Sequence, residues 1–156
     1  MENTSSAASE QLAALLAQRV EDQRADLADR YLNVLREALF SSRAEMRPSA
    51  LKQIAADEVE ALLHFLRQAN FSAAKRGEQL HQAGFKAGAV LRLSQVTRQF
   101  LLDGLENHHI ASVLEIADAY ERAVVEGFVQ SIDDTNQIER GQLERVLNAL
   151  HQRGDN

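Results

Sequence analysis

Apolar residues recur along this chain at the three- and four-residue steps of amphipathic helices. Leu12, Leu15, Leu16, Val20, Leu27, Tyr31, Val34, Leu35 and Ala38 form the first series. With Ser9 as N-cap and Glu10 in the first turn, it predicts a helix from Ser9 to about Phe40. Residues 21–30 are polar except Ala25, Leu27 and Ala28, so a bend or break is expected there. The first eight residues, MENTSSAA, are small and polar and are expected to form a disordered N-terminus.

Ser41 to Pro48 reads as a connection, because Pro48 suits the first turn of a new helix and interrupts a continuous one. Leu51, Ile54, Ala55, Val59, Leu62, Leu63 and Leu66 then make a broad stripe reaching about Gln68. Asn70 or Ser72 caps a shorter helix over about 72–83, with small inward residues Ala73, Ala74 and Gly77 beside Leu80. Gly84 and Gly88 turn the chain into a fourth helix, about Ala87 to Leu105, with Val90, Leu93, Val96, Phe100 and Leu101 inward. The last segment, His109 to about Gln152, has no proline; as one helix it is roughly 65 Å long. Its first part can pack on a globule through Val113, Ile116, Ala117, Tyr120, Val124, Phe128 and Ile132. A polar stretch follows, and then a narrow seam of Leu143, Val146, Leu147 and Leu150. That order predicts a helix leaving its domain to pair with a copy of itself. The expected organisation is therefore a helical domain over 9–132 and a helical extension over 133–156.

Composition narrows the function classes. The chain has 156 residues, 45% of them hydrophobic and 26% charged, which is the balance of one globular domain. Few glycines, one proline and no cysteine argue against an all-β fold, disulfides, cysteine-ligated metals and thiol catalysis. Apolar runs are too short to span a membrane and no signal-peptide pattern opens the chain, so a cytoplasmic location is expected. A net charge of −6 opposes broad nucleic-acid binding.

The charge is uneven. Lys75, Arg76, Lys86, Arg92 and Arg98 face only Glu78 within their own stretch, whereas Asp103 to Glu144 holds ten acids against Arg122 and Arg140. The basic group can hold an anionic head group beside an apolar pocket, or dock on the acidic last helix of its own or a second chain. The five histidines show no HExxH or other ligand spacing, and neither a nucleophile elbow nor a phosphate loop is present. No enzymatic activity, catalytic residue or metal site is therefore expected. A histidine-phosphotransfer protein has a similar size and charge, but His64 and His81 lack the lysine of its motif.

Arg76 to Phe85, followed by Val90-Leu91-Arg92-Leu93 and Val96 to Leu101, resembles a sensor globin. The helix order, ending in one very long helix, is similar to the haem-less N-terminal domains of RsbR-type stressosome proteins. The resemblance covers about residues 10–150 as architecture and 76–101 as motif. It implies an all-α, globin-like bundle of about five to six helices with a long C-terminal helix. It further implies a homodimer that passes a signal to a downstream protein or fused output domain. The chain would then be a module excised from a longer protein, or would act in trans.

On this reading, the ligand-binding candidates are His81, His64, Lys86, Arg92, Phe85 and Phe100, for a small apolar or anionic molecule. Tyr120, Val124, Phe128, Ile132, Leu143, Val146 and Leu150 mark the dimer and signalling helix. No cofactor is expected; a haem sensor with His81 as proximal ligand is the alternative. Against haem stand the 17-residue spacing of His64 and His81, the absence of tryptophan and the presence of only eight aromatic residues.

Overall fold

The computed structural model describes the backbone of residues 2–42, 45–68 and 72–154, and among these it is an all-α bundle of six helices. They are α1 (Glu2–Asp22), α2 (Arg24–Ser42), α3 (Pro48–Arg67), α4 (Ala74–Gln82), α5 (Ala87–Leu102) and α6 (Ile110–Gly154). A single 3₁₀ turn, Asn107–His109, leads into α6. No described helix is long and apolar enough to cross a membrane.

The expected break in the first helix falls at Gln23 and is a bend: Gln23 N–H still bonds Arg19 O, and Leu27 N–H bonds Gln23 O, both at 3.0 Å. Arg24 beside it spans Glu21 and Glu60, tying the bend to α3. The helix begins at Glu2, so Ser9 lies inside it and does not cap it, and the eight residues expected to be disordered are helical from Glu2 onward. Residues 4–8 are nevertheless all exposed. Leu15, expected on the inner stripe, is 61% exposed. The proposed Asn70 cap lies outside the described residues.

Pro48 occupies the first turn of α3 as expected. Two glycines bring α4 and α6 together. A Cβ on Gly77 would lie 1.8 Å from Val124 O, and one on Gly127 1.8 Å from Ala74 O. Backbone therefore meets backbone, which only glycine permits. Leu16, Val20, Leu27, Tyr31 and Leu35 from α1 and α2 meet Val59, Leu62 and Leu63 of α3 and Phe100 and Leu101 of α5 in one core. Arg19 closes the end of α5 by donating to Phe100 O (2.7 Å) and Leu101 O (3.3 Å). Such a cation satisfies carbonyls that a helix C-terminus leaves open.

Candidate ligand pocket and signalling helix

The pocket grows from the way α4 ends. Gly84 adopts φ = +94°, a conformation glycine takes without strain. Gly84 N–H then bonds His81 O (3.0 Å) and Phe85 N–H bonds Leu80 O (3.1 Å), a Schellman closure. That turn carries Phe85 into the core and places Lys86 at the start of α5. His81 lies on the α4 face that includes Ala74 and Gly77, so it too meets α6. Its Nδ1 is 2.7 Å from Ser131 Oγ, and its ring stands edge-on to Phe128 at 5.4 Å. His81, Gly84, Phe85, Lys86, Ala87, Phe128 and Ile132 line an open depression of about 340 Å³.

Three of the six ligand candidates, His81, Phe85 and Lys86, thus come together. The other three go elsewhere. His64 is exposed on α3 and lines a separate depression of about 350 Å³ with Asp57, Glu60, Lys75, Arg76 and Gln79. Arg92 pairs with Glu37 on α2 at 2.8 Å. Phe100 is fully buried, with the Arg19 and Arg30 guanidiniums 5.0 and 5.6 Å from its ring centre.

The basic group is dispersed in the same way. Arg98 pairs with Asp118 and Glu121 on the acidic α6, and Arg76 with Glu58. Neutralisation within the fold accounts for three of the five cations, so the shared anion site suggested by their nearness in sequence does not form.

Sequence reasoning missed the buried polar network on the other side of α4. Glu58 and Arg76 are 2% and 5% exposed. Arg76 Nε donates to Glu58 Oε2 at 2.5 Å and Nη2 to Ile54 O at 2.8 Å, while Tyr120 OH donates to Glu58 Oε1 at 2.9 Å. Nearby, Tyr31 OH and Thr97 Oγ1 share a 2.5 Å hydrogen bond. Burial, reinforced by the Glu58 carboxylate, pushes both tyrosine hydroxyls well above the usual phenol range. The signal was present: Glu58 stands on the 51–55–58–62 stripe, where periodicity calls for an apolar residue.

Haem iron takes a proximal imidazole nitrogen and needs open space for the macrocycle beside it. Here Ser131 engages Nδ1 of His81, as a second partner of a ligating histidine also would, and the ring packs on Phe128. Across α4, the Arg76–Glu58 pair fills the space towards α3. His64 and His81 line different depressions, so the two imidazoles do not face each other across one cavity.

Helix α6 has 45 residues and two distinct halves. Val113, Ala117, Tyr120, Val124, Gly127, Phe128 and Ser131 are buried in the chain's own bundle. Tyr120, Val124 and Phe128 therefore form core and cannot serve as a dimer surface. Ile132 is half-buried, and beyond it every described residue except Gly141 is exposed. Leu143 is 63% exposed, Val146 56%, Leu147 54% and Leu150 58%. Compared with protein-family models, curated proteins and solved structures, the chain matches none.

Proposed function

We propose that this chain is a haem-less, globin-like sensory module that forms a homodimer and transmits a ligand or partner signal through α6. The division of α6 into an anchored half and an unpartnered half carries this reading. A helix of about 22 polar-backed residues gains little stability alone in water and holds best when its apolar side is covered. That side has a usable register. Val125, Val129, Ile132, Asn136, Glu139, Leu143, Val146 and Leu150 follow alternating four- and three-residue steps, and six of these eight are apolar.

In a parallel pair, Asn136 occupies the seam position at which asparagine sets register and partner number. Glu139 of one copy would lie beside Arg140 of the other. The seam is turned by about a quarter of a circle from the buried face, so both surfaces coexist on one helix. A signal reaching Ile132, where core and seam meet, can change how the two copies pack. That counts as signalling only where the two packings bind the ligand or partner with different affinity. Light scattering of the intact chain tests the reading: a mass of about twice 17.4 kDa is expected, and a clean monomer removes it.

A further inference from the structure

Chain order divides the bundle into two halves. α1 and α2 lie along α3, α4 and α5 lie along α6, and the chain passes from one half to the other between Arg67 and Ala74. Within the second half the fit is close. Gly77 and Gly127 bring the backbones of α4 and α6 together, and His81 adds its hydrogen bond to Ser131. Those two helices therefore move as one body.

The two edges of the boundary between the halves differ. On one edge α2 lies against α5, joined by the Tyr31–Thr97 hydrogen bond and the Arg92–Glu37 and Arg30–Asp103 ion pairs. Arg19 also holds the end of α5 there. On the other edge α3 faces α4 and α6 with little backbone approach. The rings of Phe65 and Tyr120 meet edge-on at 5.3 Å, but the directional links centre on one carboxylate. Glu58 of α3 accepts from Arg76 of α4 through Oε2 at 2.5 Å and from Tyr120 of α6 through Oε1 at 2.9 Å. Arg76 adds its bond to Ile54 O at 2.8 Å. Beside these bonds α3 and α4 are already parted by the depression of about 350 Å³ that Asp57, His64, Lys75 and Gln79 line.

Stability does not explain these residue types. Apolar side chains of the same volume hold a core as well as a buried ion pair does, whereas either charge left alone is costly. A buried network that is costly when half made favours two discrete arrangements over a range. We infer that Glu58 is a latch between the halves, and that its release lets α4–α6 swing against α1–α3 about the α2–α5 edge. Because α6 belongs to the moving half, release would shift Ile132 and the helix beyond it. That last step rests on the sensory reading above; the movement of the halves does not.

The test is a pair of spin-label distances within the full chain, which lacks cysteine, diluted with unlabelled chain so that only intramolecular pairs are read. Lys52→Cys with Glu126→Cys spans the halves, and Glu78→Cys with Glu115→Cys lies within the second; all four positions are exposed. Glu58→Leu combined with Arg76→Met removes the latch and keeps its space filled. It should shift or broaden the first distance by about 1–2 Å and leave the second unchanged. Tyr120→Phe, which keeps the ion pair and loses one link, should move the first distance less. An unchanged first distance in the folded double variant overturns the latch. So does an equal change in both distances, which marks general loosening. Should the double variant not fold, Tyr120→Phe decides by the same two distances. Labels at Gln152→Cys in the undiluted chain separate the readings. A first distance that moves while the tail distance stays fixed keeps the latch and removes its coupling to α6. A monomer by light scattering removes the sensory reading and leaves the latch to the distance test.

Discussion

The two halves of α6 are continuous in backbone and similar in helix-forming composition, yet glycine means opposite things in them. Gly127, in the first half, lets the backbone of α4 approach until a Cβ would sit 1.8 Å from Ala74 O and 2.7 Å from Ala74 Cα. Gly141, in the second half, has nothing within 4 Å of its missing Cβ. The first half is specified by what packs on it. The second is specified only by its own propensity and carries an exposed apolar seam. A residue's cost therefore depends on the tertiary contact at its position rather than on its type.

Breaking the anchored side should have the largest effects. Glu58→Leu leaves the Arg76 guanidinium buried without its carboxylate and should cost about 3–5 kcal/mol, read from urea unfolding. Combining it with Arg76→Met should recover most of that loss, because a buried pair is worth far less as a unit than either orphaned charge costs. Gly127→Ala forces α4 and α6 apart and should cost about 3 kcal/mol, lowering the melting temperature by roughly 6–12 °C. Next, Tyr120→Phe removes one hydrogen bond to a carboxylate and should cost about 1.5–3 kcal/mol.

The free half should answer differently. Leu143→Asp with Leu150→Asp should halve the mass seen by light scattering while the bundle's main unfolding transition persists. Gly141→Ala should stabilise the extension by up to about 1 kcal/mol, the smallest effect and opposite in sign to Gly127→Ala. If both glycine substitutions destabilise alike, the contrast between the halves fails.

Alkaline titration gives a further check on the buried side. The chain has two tyrosines, Tyr31 and Tyr120, and both are fully buried. Their hydroxyls are raised in the fold above the unfolded value of about 10, so the unfolded state loses protons first as pH rises. The stabilisation is fully present below about pH 10 and declines above it. Tyrosinate absorbance should then appear only together with loss of helical circular dichroism. Smooth tyrosinate formation near pH 10 in a still-helical protein would show that the two hydroxyls are accessible.

Much of this fold was legible in the sequence because helices announce themselves locally. The apolar periods located the core faces of α3 and α5, Pro48 marked the one firm start, and Gly84 marked the stop that shapes the pocket. The length of α6 and its exposed seam also followed from residue order alone. Tertiary partners did not. Nothing near Arg92 in sequence points to Glu37, and nothing near His81 points to Ser131, because those pairings depend on how helices cross. Phe100 reads as a possible pocket residue from its neighbours in sequence but is buried between Arg19 and Arg30, which approach from α1 and α2. The Glu58–Arg76–Tyr120 network was readable only as an irregularity: two charges standing where each helix's period calls for an apolar side chain.

Pairing of the exposed half of α6 with a second copy is tested most directly by a distance. The chain lacks cysteine, so Gln152→Cys provides a single spin-label position outside the seam. Parallel helices pack about 8–10 Å apart, so a parallel, in-register pair should give one narrow label-to-label distance below about 30 Å. That signal should vanish when Leu143→Asp and Leu150→Asp are added. A wild-type seam that shows no dipolar coupling at concentrations where the bundle is fully folded would contradict the proposal.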